Sequence, residues 1–133
     1  MKALIITWEN FQDQELVYPY YRLREEAEKI DDVKIISNVL GKFYGIMGVN
    51  MTSHMLVSDL NDNNHIKKLI ENYDLLILPG GVKALEKLRQ EKHAVNFVKS
   101  WGESGKTIAS TCHGAQLLIS AGLTKGKNIS GYY

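Results

Sequence analysis

The chain contains one cysteine, and its neighbours give that thiol a chemical opportunity. Cys112 stands in Ala109-Ser110-Thr111-Cys112-His113-Gly114, between an apolar run at Thr107 to Ala109 and a second at Ala115, Leu117, Leu118, Ile119 and Ala121. The first run fits a buried parallel strand and the second a buried helix closed by Gly122. Their junction reads as a nucleophile elbow, a strained turn that lifts the reactive group above a sheet, with Gly114 letting the helix pass close to the strand. A thiol at a helix N-terminus meets unpaired N–H groups and the positive end of the helix dipole, which favour thiolate and lower its pKa. A lone cysteine in apolar surroundings is also a common inert core residue. Polar Ser110 and Thr111 and the following His113 tip the reading toward a reactive thiol.

A second stretch, Tyr73-Asp74-Leu75-Leu76-Ile77-Leu78-Pro79-Gly80-Gly81, couples a continuous apolar strand to a turn whose backbone can approach another group closely. Free N–H groups at Gly80-Gly81 are natural donors to an oxyanion, although the same residues also suit a plain tight turn. His54, His65 and His93 sit at unrelated spacings with no acid or cysteine cluster, so no metal site is expected. The glycines between Lys42 and Val49 lack the strand-to-helix context of a phosphate cradle, and no nucleotide cofactor is implied.

The elements that must hold these groups are readable from periodicity. Ala3 to Ile6 begin the chain as a buried strand, and polar Thr7 to Gln14 follow as a loop. From Glu15, Leu16, Tyr20, Leu23, Ala27 and Ile30 mark one face of a helix, with Pro19 near its start, so regular helix is expected to begin close to there. Asp31-Asp32 turn into a second strand at Val33, Ile35 and Ile36. Asn38 to Asp59, broken by Gly41, Gly45 and Gly48, reads as a hairpin or flap. Asn63 and Asn64 are the expected caps of a short helix from Ile66 to Glu71. Ala94, Val95, Phe97, Val98 and Trp101 mark another amphipathic helix, ending at Gly102 to Gly105. The order β α β, hairpin, α β α β α β predicts an α/β fold, a mainly parallel sheet with helices on both faces and right-handed crossovers. Ligands bind such sheets beyond the carboxyl ends of the strands. The loops at Thr7 to Glu15, Gly80-Gly81 and Cys112 should therefore meet on one edge.

At 133 residues the chain makes one domain, and 44% hydrophobic with 23% charged residues is ordinary globular composition. A net charge of +1, with the charges interspersed, argues against nucleic acid or an anionic membrane as partner. One cysteine excludes an internal disulfide, and Met1 to Thr7 lacks the apolar run of a signal peptide or membrane span. The cytoplasm is the expected compartment.

The strand and turn ending in Leu78-Pro79-Gly80-Gly81, the run from Ala109 to Gly122, and Gln12-Asp13-Gln14-Glu15-Leu16-Val17-Tyr18-Pro19 closely resemble the ThiJ/PfpI family of the class I glutamine amidotransferase-like superfamily. That family includes PfpI-type intracellular proteases, deglycases and cofactor-free glyoxalases. The resemblance runs from Met1 to Tyr133 and implies a flavodoxin-like fold, while fold membership alone leaves the substrate open. It makes Cys112 the nucleophile, His113 the histidine that follows it in PfpI-type members, and Glu15 the acid that reaches the cysteine from the end of the first strand. A carboxyl beside a thiolate must keep its proton to donate to it, and can then act as general acid or base. From position alone Glu15 equally suits the first turn of a helix. Gly81 and the His113 or Gly114 amide would supply oxyanion donors.

Adjacent side chains on a turn diverge, so His113 is not expected to meet Cys112 unaided. PfpI-type proteins orient this histidine with a glutamate from a neighbouring subunit. Glu86 is the nearest match, in a loop one residue longer, although it also fits a solvated helix charge. The resemblance thus implies a homo-oligomer. Gln12 stands where a second acid is common, Ile46-Met47 replace a more polar pair, and Tyr132 matches the family's pocket tyrosine region. Family members continue for several tens of residues beyond this point, so the chain is expected to be incomplete at its C-terminus. The leading expectation is a cofactor-independent cysteine enzyme acting on a reactive carbonyl such as a 2-oxoaldehyde or its protein adduct. The alternatives are a PfpI-type peptidase using the same thiolate on peptides, and a non-enzymatic redox sensor or holdase in which Cys112 is oxidised to a sulfinate stabilised by Glu15 and the helix N-terminus.

Overall fold

The structure, a computed structural model, describes residues 1–131, with the backbone alone at Ile30. Its frame is a five-stranded parallel sheet in the order β5-β2-β1-β6-β7, built from β1 (Ala3–Ile6), β2 (Val33–Ser37), β5 (Met55–Leu56), β6 (Leu75–Leu78) and β7 (Thr107–Ser110). β1 is central, pairing Ala3 with Val33 on one side and with Leu75 on the other. Every residue of β1 is buried, which is why Ala3 to Ile6 reads as an unbroken apolar run instead of an alternating one. Two further strands, β3 (Gly41–Tyr44) and β4 (Asn50–Ser53), form a separate antiparallel hairpin. The hairpin expected between Asn38 and Asp59 is therefore present, and Met55-Leu56 after it returns to the main sheet alongside β2.

The helices are α1 (Asp13–Glu26), α2 (Asn63–Asn72), α3 (Val82–Leu88), α4 (Lys92–Glu103) and α5 (Gly114–Ser120). α1 packs on β1 and β2, whereas α4 touches α2, α5 and β7; right-handed crossovers put these on opposite faces of the sheet. The core on the α4 side is closed by Phe97 and Trp101 in edge-to-face contact, with ring centroids 5.9 Å apart. Lys106 joins this layer by donating to the carbonyls of Ile70 and Tyr73, so a side chain preceding β7 satisfies the free C-terminal carbonyls of α2. No helix among the described residues is long and apolar enough to cross a membrane.

Several expectations are corrected. α1 begins at Asp13, ahead of Pro19, and runs through the proline although Pro19 has no N–H to donate to the Glu15 carbonyl. Tertiary bonds at its N-terminus and the burial of Leu16 and Tyr20 outweigh that local cost. α1 also stops at Glu26, because Ala27 is already extended and residues 30–32 form a separate 3₁₀ turn. Asp62, and not Asn63 or Asn64, caps α2, its Oδ1 accepting the Asn64 N–H at 2.8 Å. α3, which the expected element order omits, buries Ala84, Leu85 and Leu88. No strand follows α5 among the described residues, so β7 has one neighbour. Thr107 and Ala109 are exposed, where the apolar run predicted burial. In α5 only one side is buried, and Ile119 is 56% exposed.

His54, between β4 and β5, is bound into the edge of the sheet: its N–H donates to the Ile35 carbonyl and its Nδ1 accepts the Ile35 N–H at 2.9 Å. An acceptor ring nitrogen requires neutral imidazole. Burial first, then the positive charges of Lys34 and Arg24, hold the His54 pKa below its ordinary value. A depressed pKa means that the unfolded chain binds the proton more tightly. The His54 contribution is therefore whole above the unfolded value near 6.5 and is lost as pH falls through the lower folded value. Urea unfolding between pH 7.5 and 5 should show stability falling on acidification, with a shallower fall in His54→Gln. Equal slopes in the two proteins would refute this link.

Gly114 sets how closely α5 approaches the sheet. A Cβ there would collide with the Leu78 carbonyl. Gly114→Ala should lower stability by about 1–3 kcal/mol through overpacking, read as a lower urea midpoint. An unchanged midpoint would mean that α5 does not pack this tightly.

Candidate active site

The loops after β1, β6 and β7 meet at one edge of the sheet, as the parallel topology requires. Cys112 stands in the turn between β7 and α5 with φ 53°, in the left-handed region that glycine favours. A non-glycine residue held there costs about 1–3 kcal/mol, so surrounding bonds must fix it. They do so on both sides. The Thr111 N–H donates to the Leu78 carbonyl at 3.1 Å, tying the turn to β6, and the Gly114 N–H donates to the Thr111 carbonyl at 2.8 Å. The elbow anticipated from the order of polar and apolar residues is thus present as a backbone conformation.

Glu15 arrives from the first turn of α1. The Gly80 N–H donates to Glu15 Oε2 at 2.7 Å, across 65 positions of sequence. The Gln12 N–H donates in turn to the Gly80 carbonyl at 3.2 Å, so both peptide groups of Gly80 hold the loop that carries the acid. A Cβ on Gly80 would collide with Glu15 Oε2 and would lie 2.9 Å from Cys112 Cβ and 3.1 Å from the His113 nitrogen. Carboxyl, thiol-bearing carbon and backbone donor therefore surround one point, and only glycine leaves that point open. Gly81, with φ 110°, would bring a Cβ within 2.7 Å of the Gln12 nitrogen, so the second glycine is needed for the same close approach.

His113 lies closer to the thiol than adjacency on a turn suggested. Cys112 Sγ and His113 Nδ1 are 3.3 Å apart, and His113 is only 8% exposed. The left-handed backbone at Cys112 curls the chain so that both side chains lie on one side of the turn. Gly114 joins the site through packing, since its N–H is already given to Thr111. Glu86 sits on α3 with an exposed carboxylate 3.9 Å from Arg89 Nη1. Tyr132 lies outside the described residues. His65 and His93 are placed in α2 and α4, apart from His54 at the sheet edge. A residue that sequence reasoning missed is Asp13, whose buried carboxylate receives the N–H groups of Met47 and Val49 from the hairpin turn. The available signal was a second acid beside Glu15 in the same helical turn.

The electrostatics overturn one expectation. Burial pushes the Cys112 thiol up, and the negative charge and hydrogen bond of Glu15 push it further. The His113 and Gly81 N–H groups pull the other way without prevailing. The helix-terminus argument fails because α5 is a single short helix of 7 residues. Its first N–H groups are also not free: Gly114, Ala115 and Gln116 donate to the carbonyls of Thr111, Cys112 and His113. Alkylation rate followed against pH should place the Cys112 inflection above that of an ordinary cysteine, and Glu15→Gln should lower it. An inflection that stays put in Glu15→Gln would separate the carboxyl from the thiol.

A sequence model of the DJ-1/PfpI family matches residues 1–133. The chain is 36% identical over 132 residues to the deglycase PfpI of Pyrococcus furiosus, an alignment covering 99% of this chain and 72% of that protein. It is 28% identical over 133 residues to YraA of Bacillus subtilis, named a putative cysteine protease, covering 98% of this chain and 71% of YraA. Schizosaccharomyces pombe DJ-1 superposes with a TM-score of 0.79 at 18% identity, covering 98% of this chain and 67% of the other, a likeness of fold. The family match across the whole chain and the relative at 36% identity agree with the elbow and the parallel sheet: the chain belongs to the DJ-1/PfpI family.

Proposed function

We propose that this chain is a cofactor-independent cysteine enzyme acting on reactive carbonyls, with Cys112 as nucleophile and Glu15 as the proton-carrying group. The observation that carries the reading is the convergence at Gly80 of Glu15 Oε2, the Cys112 side chain and the His113 backbone nitrogen. Relatives named deglycases support the same class of chemistry. A thiol pushed up by burial and by a neighbouring carboxyl is a poor nucleophile until its proton moves, and the adjacent carboxyl is where it can go. Once Glu15 holds the proton, it becomes a hydrogen-bond donor to the sulfur and the pocket keeps a single negative charge.

For a 2-oxoaldehyde the steps balance as follows. The thiolate adds to the aldehyde carbon, and the aldehyde oxygen takes from Glu15 the proton that the thiol gave it, leaving a hemithioacetal and a Glu15 carboxylate. The Glu15 carboxylate removes the hydrogen on that carbon and returns it to the neighbouring carbonyl carbon through an enediol, while the hydroxyl proton of the first carbon passes to the oxygen of the second, so the first carbon is oxidised and the second reduced. The resulting thioester is cleaved by water to a 2-hydroxy acid and free thiol. The His113 and Gly81 N–H groups, already directed at the sulfur, are the donors available to a developing oxyanion. The Gly114 N–H is spent on Thr111. His113 assists as acid or base at 3.3 Å from the sulfur. In this reading a second copy of the chain supplies Glu86 to orient the histidine, and the exposure of that carboxylate leaves it accessible.

The test is lactate release from methylglyoxal by purified protein without added glutathione or metal. Cys112→Ala and Glu15→Gln should each lose at least about 100-fold in kcat/KM. No release from the wild-type chain would overturn the carbonyl reading. The contact between Cys112 and His113 also favours peptide hydrolysis as a second reading. It requires cleavage of a casein substrate by wild type and none by Cys112→Ala.

A further inference from the structure

We propose that Asp13 is the positioning residue that braces Glu15 against Gly80 and Cys112, by clamping the β3–β4 hairpin onto the start of α1. The proposal deepens the reading of the site given above and rests on it for the role of Glu15. An aspartate in the first turn of a helix ordinarily serves the helix dipole, facing free N–H groups and water. Asp13 does something else. It is 5% exposed, and its two oxygens are both engaged outside the helix: Oδ2 accepts the Met47 N–H at 2.8 Å and Oδ1 the Val49 N–H at 2.9 Å. Burying a carboxylate is costly unless it is paired in this way.

The receiving turn is shaped to fit. A Cβ on Gly45 would lie 2.5 Å from Asp13 Oδ1, so the carboxylate occupies the space that a side chain would fill. Around this clamp the hairpin is laced to the loop before α1. The Asn10 N–H donates to the Tyr44 carbonyl, the Ile46 N–H donates to the Phe11 carbonyl, and the buried rings of Phe11 and Phe43 meet at 5.0 Å. On the opposite side the same loop is bonded to Gly80 through the Gln12 N–H. Residues 10–13 are thus gripped between the hairpin and the β6 turn.

What the grip determines is where α1 starts. Gln12 makes no side-chain cap, and Pro19 withdraws a hydrogen bond from the Glu15 carbonyl, so the first turn is weakly held by its own helix. The direction of Glu15, two positions after Asp13, is then set by the external bonds. Loss of the Asp13 clamp should let the first turn shift and carry the Glu15 carboxyl away from Gly80, without touching substrate or sulfur directly.

Asp13→Asn keeps the shape but replaces one acceptor oxygen by an NH2 facing a backbone N–H. It should lower kcat by about 10- to 100-fold with KM nearly unchanged, the signature of displaced machinery. It should also move the Cys112 alkylation inflection in the same direction as Glu15→Gln. In the Glu15→Gln background, Asp13→Asn should move that inflection no further, whereas a direct field of Asp13 on the thiol would persist there. Gly45→Ala, which pushes the turn off an intact Asp13, should reproduce the shift. Asp59→Asn removes a different aspartate–backbone bond, to the Leu56 N–H, and should leave the inflection in place. Because the inflection is read without turnover, it tests the brace even if the chain releases no lactate. A folded Asp13→Asn protein with unchanged inflection and unchanged kcat would overturn the proposal, as would an inflection that shifts equally in the Glu15→Gln background.

Discussion

The arrangement depends on the room left by one missing side chain. Gly80 has no Cβ, and the vacated space is shared by the Glu15 carboxyl and the Cys112 side chain, while its N–H holds the carboxyl in place. Any other residue at that position would push the acid and the thiol apart. The parallel sheet contributes by bringing three chain segments far apart in sequence to a common edge. The register of β1 with β6 and of β6 with β7 then decides that the loops after Ile6, Leu78 and Ser110 end at the same height.

The site stores its chemistry as restrained conflict. Cys112 is held with a left-handed backbone that a non-glycine residue resists, and its thiol shares a partly buried space with a carboxyl that opposes its ionisation. Neither condition would persist in an isolated peptide. Both persist here because Thr111 is pinned to Leu78, Gly114 lets α5 lie against β6, and Gln12 is pinned to Gly80. An elbow without the carboxyl would leave a merely buried thiol. A carboxyl without the elbow would have nothing to exchange protons with.

The hairpin belongs to the same system. It lies outside the main sheet, yet Asp13, Phe11 and Asn10 bind it to the loop that carries Glu15. Ile46 and Met47 at its turn are exposed, whereas the backbone beneath them is tightly bonded. The apolar character of the turn and its structural duty are therefore carried by different parts of the same residues.

Much of this was determined by the sequence itself. Continuous apolar runs at Ala3 to Ile6 and Leu75 to Leu78 mark strands buried on both faces, polar residues around Cys112 mark a turn, and Gly114 and Gly80-Gly81 mark close approaches, because each requirement is local to a few residues. The resemblance to ThiJ/PfpI proteins, carried by those same stretches, anticipated the family. The start of α1, the exposure of β7 and the direction of the Cys112 shift were decided only by the tertiary structure. α1 begins where bonds from the hairpin and Gly80 place it, against the local preference of Pro19. β7 is exposed because among the described residues it pairs with β6 alone. The thiol is pushed up because burial and a carboxyl from a distant helix outweigh a short helix whose first N–H groups are already paired. A sequence displays the propensities of neighbours along the chain, whereas these three outcomes are set by neighbours in space.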